Sequence, residues 1–263
     1  MAAYIYLAKM KILTSMAYRF DFLTGFLTNT VLLLSMVFLW KTAFVSTDVV
    51  AGVTENDMLR YSIISMLLGT FYQRGVQNTI NGKVRHGEVA VDLFHPVNLL
   101  GTYLAEDIGT AISSFVTLSL PLGIISVFVL RISLAIEPMR FLLFAMSAVL
   151  SFALLWILSA ITGLISFWLV EYGNMGLAKD AVITILSGSV VPIWFFPESL
   201  QFASKFMPFI YIYQAPISIY IGKMPGDEIP LTLGVQAIWV LLFFALMQLT
   251  WSRAKRRVVV QGG

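Results

Sequence analysis

The chain has 263 residues, of which 59% are hydrophobic and 12% are charged, and its formal net charge is +3. Because a soluble domain carries about 25% charged residues, this composition and a mean hydropathy of +0.86 exclude an ordinary soluble protein. They predict an integral membrane protein with spans of about 20 residues each and no separate soluble domain. The sequence contains no cysteine and two histidines, so we expect no disulfide framework, thiolate nucleophile or bound metal.

The first 21 residues are apolar but interrupted by charge. Tyr4, Leu7, Met10 and Thr14 recur at three- and four-residue spacing, which would place them on one face of a helix. This pattern predicts an amphipathic helix over residues 1–21 that lies in the inner membrane interface. The alternative is an N-terminal extension of the first span.

Apolar runs separated by polar intervals predict an all-α protein with six transmembrane helices. The fourth run is long enough to tilt or to extend beyond the membrane, and the fifth is cut short by Pro192. The spans are expected at residues 22–44, 58–80, 108–130, 141–170, 181–192 and 231–251.

Six of the nine prolines lie between residues 192 and 230, in a segment that is otherwise apolar and aromatic. Proline breaks helices, and irregular backbone at membrane depth persists only where it is buried in protein or lines a wet cavity. The sequence therefore predicts a re-entrant outer helical hairpin over residues 188–230, broken at Pro192, Pro197 and Pro208.

The distribution of lysine and arginine predicts the orientation. With the N-terminus inside, eleven of the 17 basic residues lie on the inner side, and the densest cluster follows the last span at residues 253–257. Because cytoplasmic flanks of spans carry an excess of Lys and Arg, we expect a multi-pass plasma-membrane protein with both termini cytoplasmic. This placement favours membrane topology over binding of nucleic acid.

Neither glycine–lysine pair forms an ATP-binding phosphate loop. Gly82-Lys83 and Gly222-Lys223 both lack a glycine five positions earlier and a Ser or Thr after the lysine. No nucleophile elbow, HExxH motif or zinc-ligand spacing occurs either. We therefore predict no catalytic, cofactor-binding or metal-binding residue, and an enzymatic function has no positive support.

Residues 81–107 form the longest expected inner connection, in which charges of both signs surround an apolar row. Two interpretations are open: a short amphipathic helix that docks into a groove on a soluble partner, or a solvated juxtamembrane loop. The charged residues and histidines include Lys83, Arg85, His86, Glu88, Asp92 and His95, and the apolar row is Val84, Val91, Phe94 and Val97.

Small residues recur on one stripe of the fourth span. Ser147, Ser151, Ser159 and Gly163 share this stripe with Leu155, each four positions from the next. Small side chains let helices approach closely. We expect the stripe to pack against other helices of the same chain rather than to form a dimer seam.

The order of these features resembles the permease subunits of type-2 ATP-binding cassette (ABC) exporters. The resemblance covers essentially the whole chain: an interfacial N-terminal helix, six spans, an inner segment in which G-x-V is followed by D-L-x-x-P-V, and a proline-rich outer hairpin. The inner motif begins at Gly82 and Val84 and ends at Asp92-Leu93 and Pro96-Val97.

The resemblance implies a mechanism. The permease would pair with a second permease, identical or related, and separate ATPase subunits would bind ATP and Mg²⁺ and supply the energy. Residues 81–107 would contain the coupling helix that receives the ATPase movement, and the hairpin would shape the exit of the pathway. The residues implied for coupling are Gly87, Glu88, Asp92, His95 and Pro96.

Two other functions are open. A stand-alone channel or ion-coupled carrier would require ionisable side chains near mid-span, whereas Glu106, Asp107 and Glu171 lie near span ends. There they would be hydrated or would relay protons. A lipid-modifying enzyme would require acids or histidines gathered on one face. The transported substrate and its contact residues are not predicted from the sequence.

Overall fold

The computed structural model describes residues 2–17, 19–46, 49–50, 52–72, 75–94, 97–134, 137–169 and 174–257. These residues are almost entirely helical, as predicted, with one small antiparallel strand pair. The elements are α1 (Ala2–Ala17), α2 (Arg19–Ala43), β1 (Val49–Val50), β2 (Val53–Thr54), α3 (Glu55–Phe71), α4 (Gly75–Arg85), α5 (Glu88–Asp92), α6 (Leu99–Ser114), α7 (Leu120–Phe128), α8 (Pro138–Leu164), α9 (Met175–Leu186), α10 (Glu198–Ser204), α11 (Gln214–Tyr220) and α12 (Glu228–Ala254).

Four helical stretches among the described residues are long and apolar enough to cross a membrane. They correspond to the first, third, fourth and last predicted spans. The third consists of α6 and α7 joined through a π-helical turn, and the fourth continues from α8 into a 3₁₀ turn. The stretches are Phe22–Ala43, Leu99–Phe128, Pro138–Phe167 and Glu228–Arg257.

The helix that contains the third predicted span begins earlier than that span, at Leu99. Glu106 and Asp107 had placed the expected border of the membrane at residue 108. The helix instead continues through both acids, and the Trp156 indole nitrogen donates to Asp107 Oδ2 at 2.9 Å. A carboxylate that receives a hydrogen bond from a neighbouring helix can remain inside a helical bundle.

The second predicted span, residues 58–80, is not one continuous helix. α3 ends at Phe71, and Tyr72 has extended backbone angles, with ψ of 97°. α4 then begins at Gly75 and packs on α8, where a Cβ on Gly163 would lie 2.9 Å from Gln77 Cα. The start of α3 also precedes residue 58, because Thr54 and Asp57 form a capping box.

The helix contacts distinguish two ends of the molecule. The α5 end contains α1, α4, α5 and the start of α6, together with the end of α12, where Arg257 lies over the Trp168 ring. The α10 end contains α10 and α11, the β1–β2 pair and the starts of α3, α8 and α12. There Lys223 Nζ donates to Gly52 O at 3.1 Å, and Arg140 donates to Met224 O at 3.4 Å.

α1 packs lengthwise on α6 through glycines. The Asn98 backbone N–H donates to the Tyr4 hydroxyl at 3.1 Å, and a Cβ on Gly109 would lie 2.5 Å from Ala8 O. The predicted shared face is only partly correct, because Met10 and Thr14 are exposed. The glycine-lined surface of α6, rather than the apolar periodicity of α1, selects the face that docks.

We expect Gly109→Ala to destabilise the protein, because the added Cβ would collide with the Ala8 carbonyl of α1. Overpacking of this kind costs about 1–3 kcal/mol. The thermal midpoint of the purified protein in mild detergent measures the effect. Gly234→Ala on α12 is the matched control, since nothing lies within 4 Å of its added Cβ. An equal midpoint for both variants would contradict the close α1–α6 packing.

Candidate functional site

The segment that was expected to couple to a partner contains a real but short helix. α4 extends to Arg85 and α6 begins at Leu99, so the connection between them is shorter than the predicted residues 81–107. α5 lies in this connection, and Gly87 precedes it with a φ of 72°, a left-handed conformation that favours glycine. Val89 is buried and attaches α5 to the helices beneath it.

Asp92 is held inside this segment by an ion pair. Lys83 Nζ donates to Asp92 Oδ2, and the Tyr103 hydroxyl donates to the same oxygen at 3.3 Å. The Lys83 ammonium also lies 5.3 Å from the centre of the Tyr103 ring. Asp92 therefore ties α5 to α4 and α6, so it acts as a positioning residue rather than as a free contact.

The outward side of α5 combines acid and apolar groups. Glu88 is exposed, and the side chains of Val91 and Phe94 are 61% and 83% exposed. Val84 of the predicted apolar row packs instead against the buried core at this end. His95 and Pro96, the other residues predicted for coupling, lie outside the described residues.

At the α10 end, each predicted proline break starts a short helix. Pro192 is the N-cap of a 3₁₀ turn over Ile193–Phe195, and Pro197 is the N-cap of α10. Pro208 precedes another 3₁₀ turn, Phe209–Tyr211. Proline fixes φ near −65° and lacks an N–H, so it fits the first positions of a helix and ends the preceding one. Residues 188–230 are therefore broken as the prolines predicted.

Gln214 connects three parts of this broken segment. Its Oε1 accepts from the Ile193 backbone N–H at 3.1 Å and lies 2.9 Å from the Tyr61 hydroxyl. The same hydroxyl is 2.6 Å from the Gly188 carbonyl oxygen. Gly188 has a φ of 78°, and an added Cβ would lie 2.6 Å from Gln214 Oε1, so only glycine fits there.

Gln236 on α12 forms a second buried network. Its Oε1 accepts from Ser147 Oγ at 2.9 Å, and its Nε2 lies 2.9 Å from Ser151 Oγ and 3.0 Å from Tyr211 O. The small-residue stripe of α8 therefore packs within the chain, as predicted. Sequence reasoning missed Gln214 and Gln236, although a glutamine within an apolar run was a usable signal.

Within the α10 end, an ion pair joins the loop after α11 to the start of α3. Lys223 Nζ lies 2.8 Å from Asp57 Oδ2, and the Thr54 backbone N–H donates to the same oxygen at 3.2 Å. Burial by itself raises the pKa of Asp57. The hydrogen bonds from Lys223 and Thr54 and the positive charge of Lys223 outweigh burial, so the pKa is lowered overall. The carboxylate therefore remains charged and fixes the loop after α11.

A cleft of about 630 Å³ lies between α2, α3, α6 and α9. Among the residues that the structure describes, its lining is uncharged and combines hydroxyl and amide groups with apolar side chains. The polar lining residues are Asn29, Ser62, Ser65, Thr70, Ser114, Thr184, Ser189 and Tyr213.

Comparison with known families fits this arrangement. A family model described as ABC-2 family transporter protein matches residues 30–262. The chain belongs to this family. It is an ABC-2 permease subunit, the membrane component of a transporter, without an ATPase site of its own. No curated protein and no solved structure matches the chain.

The ABC-2 permease should lose order in α5 when Asp92 is replaced by alanine. The change removes the ion pair with Lys83 and the hydrogen bond from Tyr103, an interaction of about 0.5–1 kcal/mol for a partly exposed pair. We expect about two- to fivefold faster amide hydrogen exchange over residues 88–94. Glu88→Ala is the control, because Glu88 is exposed. Equal exchange rates for both variants would refute the positioning role of Asp92.

Stability of the ABC-2 permease should also depend on Asp57 at low pH. Because folding lowers the pKa of this carboxyl from its ordinary value of 3.8, its stabilisation is fully present above that value. It is lost as the pH falls through the lowered pKa. Asp57→Asn should therefore flatten the decline of the thermal midpoint below about pH 4. Asp227→Asn, an exposed control at the same end, should leave the decline unchanged.

Proposed function

We propose that this ABC-2 permease is the transmembrane subunit of an ATP-driven exporter. It pairs with a second permease, identical or related, and separate ATPase subunits bind ATP and Mg²⁺ and provide the energy. The observation that carries this proposal is the outward side of α5, where exposed Val91 and Phe94 lie beside exposed Glu88. An apolar patch with an acidic rim suits docking to a soluble subunit.

The connections of α5 explain how movement would reach the spans. α5 is joined to α4 by the Lys83–Asp92 ion pair and to α6 through Tyr103. α4 in turn packs on α8, where Gly163 leaves room for Gln77. A displacement of α5 by an ATPase would therefore be passed directly to two of the apolar helices. We assign the coupling role to the segment from Gly87 to Pro96 on this basis.

The α5 end is the cytoplasmic end in this proposal. From α2 to α12 the chain passes back and forth between the two ends of the molecule. This path supports six crossings, with α3 and α9 forming the two shorter ones. Both termini then lie in the cytoplasm of a plasma-membrane protein, and α1 lies in the inner interface. Residues 188–230 form a re-entrant hairpin that enters the outer side of the membrane and shapes the exit.

The uncharged cleft is our candidate for this subunit's share of the substrate path. α2, α3 and α9 contribute its walls, and a second permease would close its open side. Its mixed hydroxyl and apolar lining suits an amphipathic cargo better than a strongly charged one, because charge is costly at membrane depth.

Glu88→Lys should weaken coupling without unfolding the permease. Reversal of an exposed charge on the docking side should reduce both recovery of the ATPase subunit and ATP-dependent transport, by about tenfold for a loss of 1.4 kcal/mol. The measurements are co-purification of the ATPase in mild detergent and transport by the reconstituted complex.

Glu137→Lys is the matched control, since Glu137 is an exposed glutamate at the opposite end. It should retain both the ATPase and transport. If no nucleotide-binding protein co-purifies with the unmodified chain, the exporter proposal fails. If the ATPase binds but Glu88→Lys changes nothing, the proposed docking surface on α5 is wrong.

A further inference from the structure

An apolar groove separate from the central cleft runs along one side of the helical bundle. It has a volume of about 350 Å³ and is bounded by α3, the π-helical turn, α8, the loop after α7 and the end of α11. Ile64, Leu68 and Phe71 line it on α3, and Phe144 and Ala148 line it on α8. Such a surface suits a hydrocarbon chain.

Both long walls of the groove begin with an arginine at the α10 end. Arg60 lies one helical turn before Ile64, and Arg140 lies one turn before Phe144. Because α3 and α8 both start at this end, the two arginines lie at the same mouth of the groove. The groove therefore has an apolar interior and a cationic opening.

The two guanidinium groups converge on the residues around the end of α11. Arg60 acts electrostatically on the Tyr220 hydroxyl, and Tyr220 lines the groove and packs on Phe144 with ring centres 5.0 Å apart. Arg140 Nη1 donates to Met224 O at 3.4 Å. Tyr220 therefore links the region of Arg60 to the apolar lining of the groove.

Neither guanidinium group has a full set of hydrogen-bond partners among the described residues. The Nε of Arg60 is buried and has no hydrogen-bond partner among the described residues. Arg140 has the long hydrogen bond to Met224 O and a contact of 4.0 Å to Glu137, whose side chain is 68% exposed. An unpaired buried donor on a cation is costly, and an anionic group placed at the mouth would remove this cost.

The length of the groove matches one leaflet of a bilayer. Eleven residues separate Arg60 from Phe71, which corresponds to about 16 Å along a helix. Half of the hydrocarbon core of a bilayer is about 15 Å thick. Phe71 closes the far end of the groove, packed against Phe152 and Phe115 with ring centres 5.5 Å and 6.3 Å away.

We propose that this groove binds an anionic phospholipid of the bilayer, with one acyl chain between α3 and α8 and its phosphate on Arg60 and Arg140. The lipid supplies the acceptor that Arg60 Nε lacks and covers the apolar walls. It would also join the starts of α3 and α8 to the end of α11. This site does not depend on the exporter function, because it belongs to the single chain.

Native mass spectrometry of the purified full-length chain tests the proposal. Phosphatidylglycerol and phosphatidylcholine with identical acyl chains are added at equal concentration. Both lipids carry a phosphodiester, but the trimethylammonium group of phosphatidylcholine would lie beside two guanidinium groups that repel it. We therefore expect about tenfold greater retention of phosphatidylglycerol, which corresponds to 1.4 kcal/mol. Dodecyl phosphate should displace it, whereas inorganic phosphate at the same concentration should not.

Matched variants identify the residues. Arg60→Gln and Arg140→Gln should each reduce the preference to within about twofold of equality, whereas Arg253→Gln at the α5 end should retain it. Ala148→Phe, which fills the groove, should reduce retention of both lipids. Leu142→Phe, on an exposed part of α8 outside the lining, should leave retention unchanged.

If a variant fails to fold, lipid retention by the unmodified chain still tests the proposal. Equal retention of the two lipids by the unmodified chain overturns the proposal. It is also overturned if a preference survives both arginine changes, or if inorganic phosphate displaces the lipid. Because the chain contains no cysteine, Ala148→Cys offers a further check. Rapid disulfide cross-linking of two chains at this position would show that a second copy, not a lipid, covers the groove.

Discussion

The rest of the structure depends on one constraint. The backbone N–H and C=O groups of the broken segment before α12 need hydrogen-bond partners. Irregular backbone cannot remain unpaired in an apolar environment. Two glutamines supply the missing partners: Gln214 accepts from the Ile193 N–H, and Gln236 lies 3.0 Å from the Tyr211 carbonyl oxygen. Ser65 adds a third contact by donating to Ser189 O at 2.6 Å. These bonds attach the segment to α3, α8 and α12, so the α10 end of the molecule is supported by its long helices.

The two ends of the molecule are held by different physical means. At the α5 end, close packing at glycines brings α1 onto α6 and α4 onto α8, and one ion pair, Lys83–Asp92, sets the position of α5. At the α10 end, the elements are held by the ion pair between Lys223 and Asp57 and by the stacking of Trp40 on Phe195. In the proposed exporter, the short helix at the α5 end would receive the movement of the ATPase, and the segment at the α10 end would shape the exit.

The coupling residues show how far sequence reasoning reached. The residues around Gly87 and Asp92 left a short helix and a solvated loop open, the resemblance implied the helix, and α5 is present. The sequence treated Glu88 and Asp92 as equivalent polar contacts, yet Asp92 is engaged with Lys83 and Glu88 is exposed. Their difference depends on the spatial position of Lys83 and Tyr103, which no spacing rule for a single helix contains. The apolar groove with Arg60 and Arg140 at its mouth was also not predicted, because the two arginines are far apart in the chain.

The sequence by itself determined the class of protein, the four long spans and the breaks at Pro192, Pro197 and Pro208, because hydropathy and proline act locally along the chain. Tertiary structure decided where α3 ends, which face of α1 docks and where the helix of the third span begins. These features depend on contacts between distant residues: Ala8 with Gly109, Tyr72 with Tyr213 and Asp107 with Trp156. A buried polar group is costly unless a partner reaches it, and in these cases the folded chain brings the partner to it.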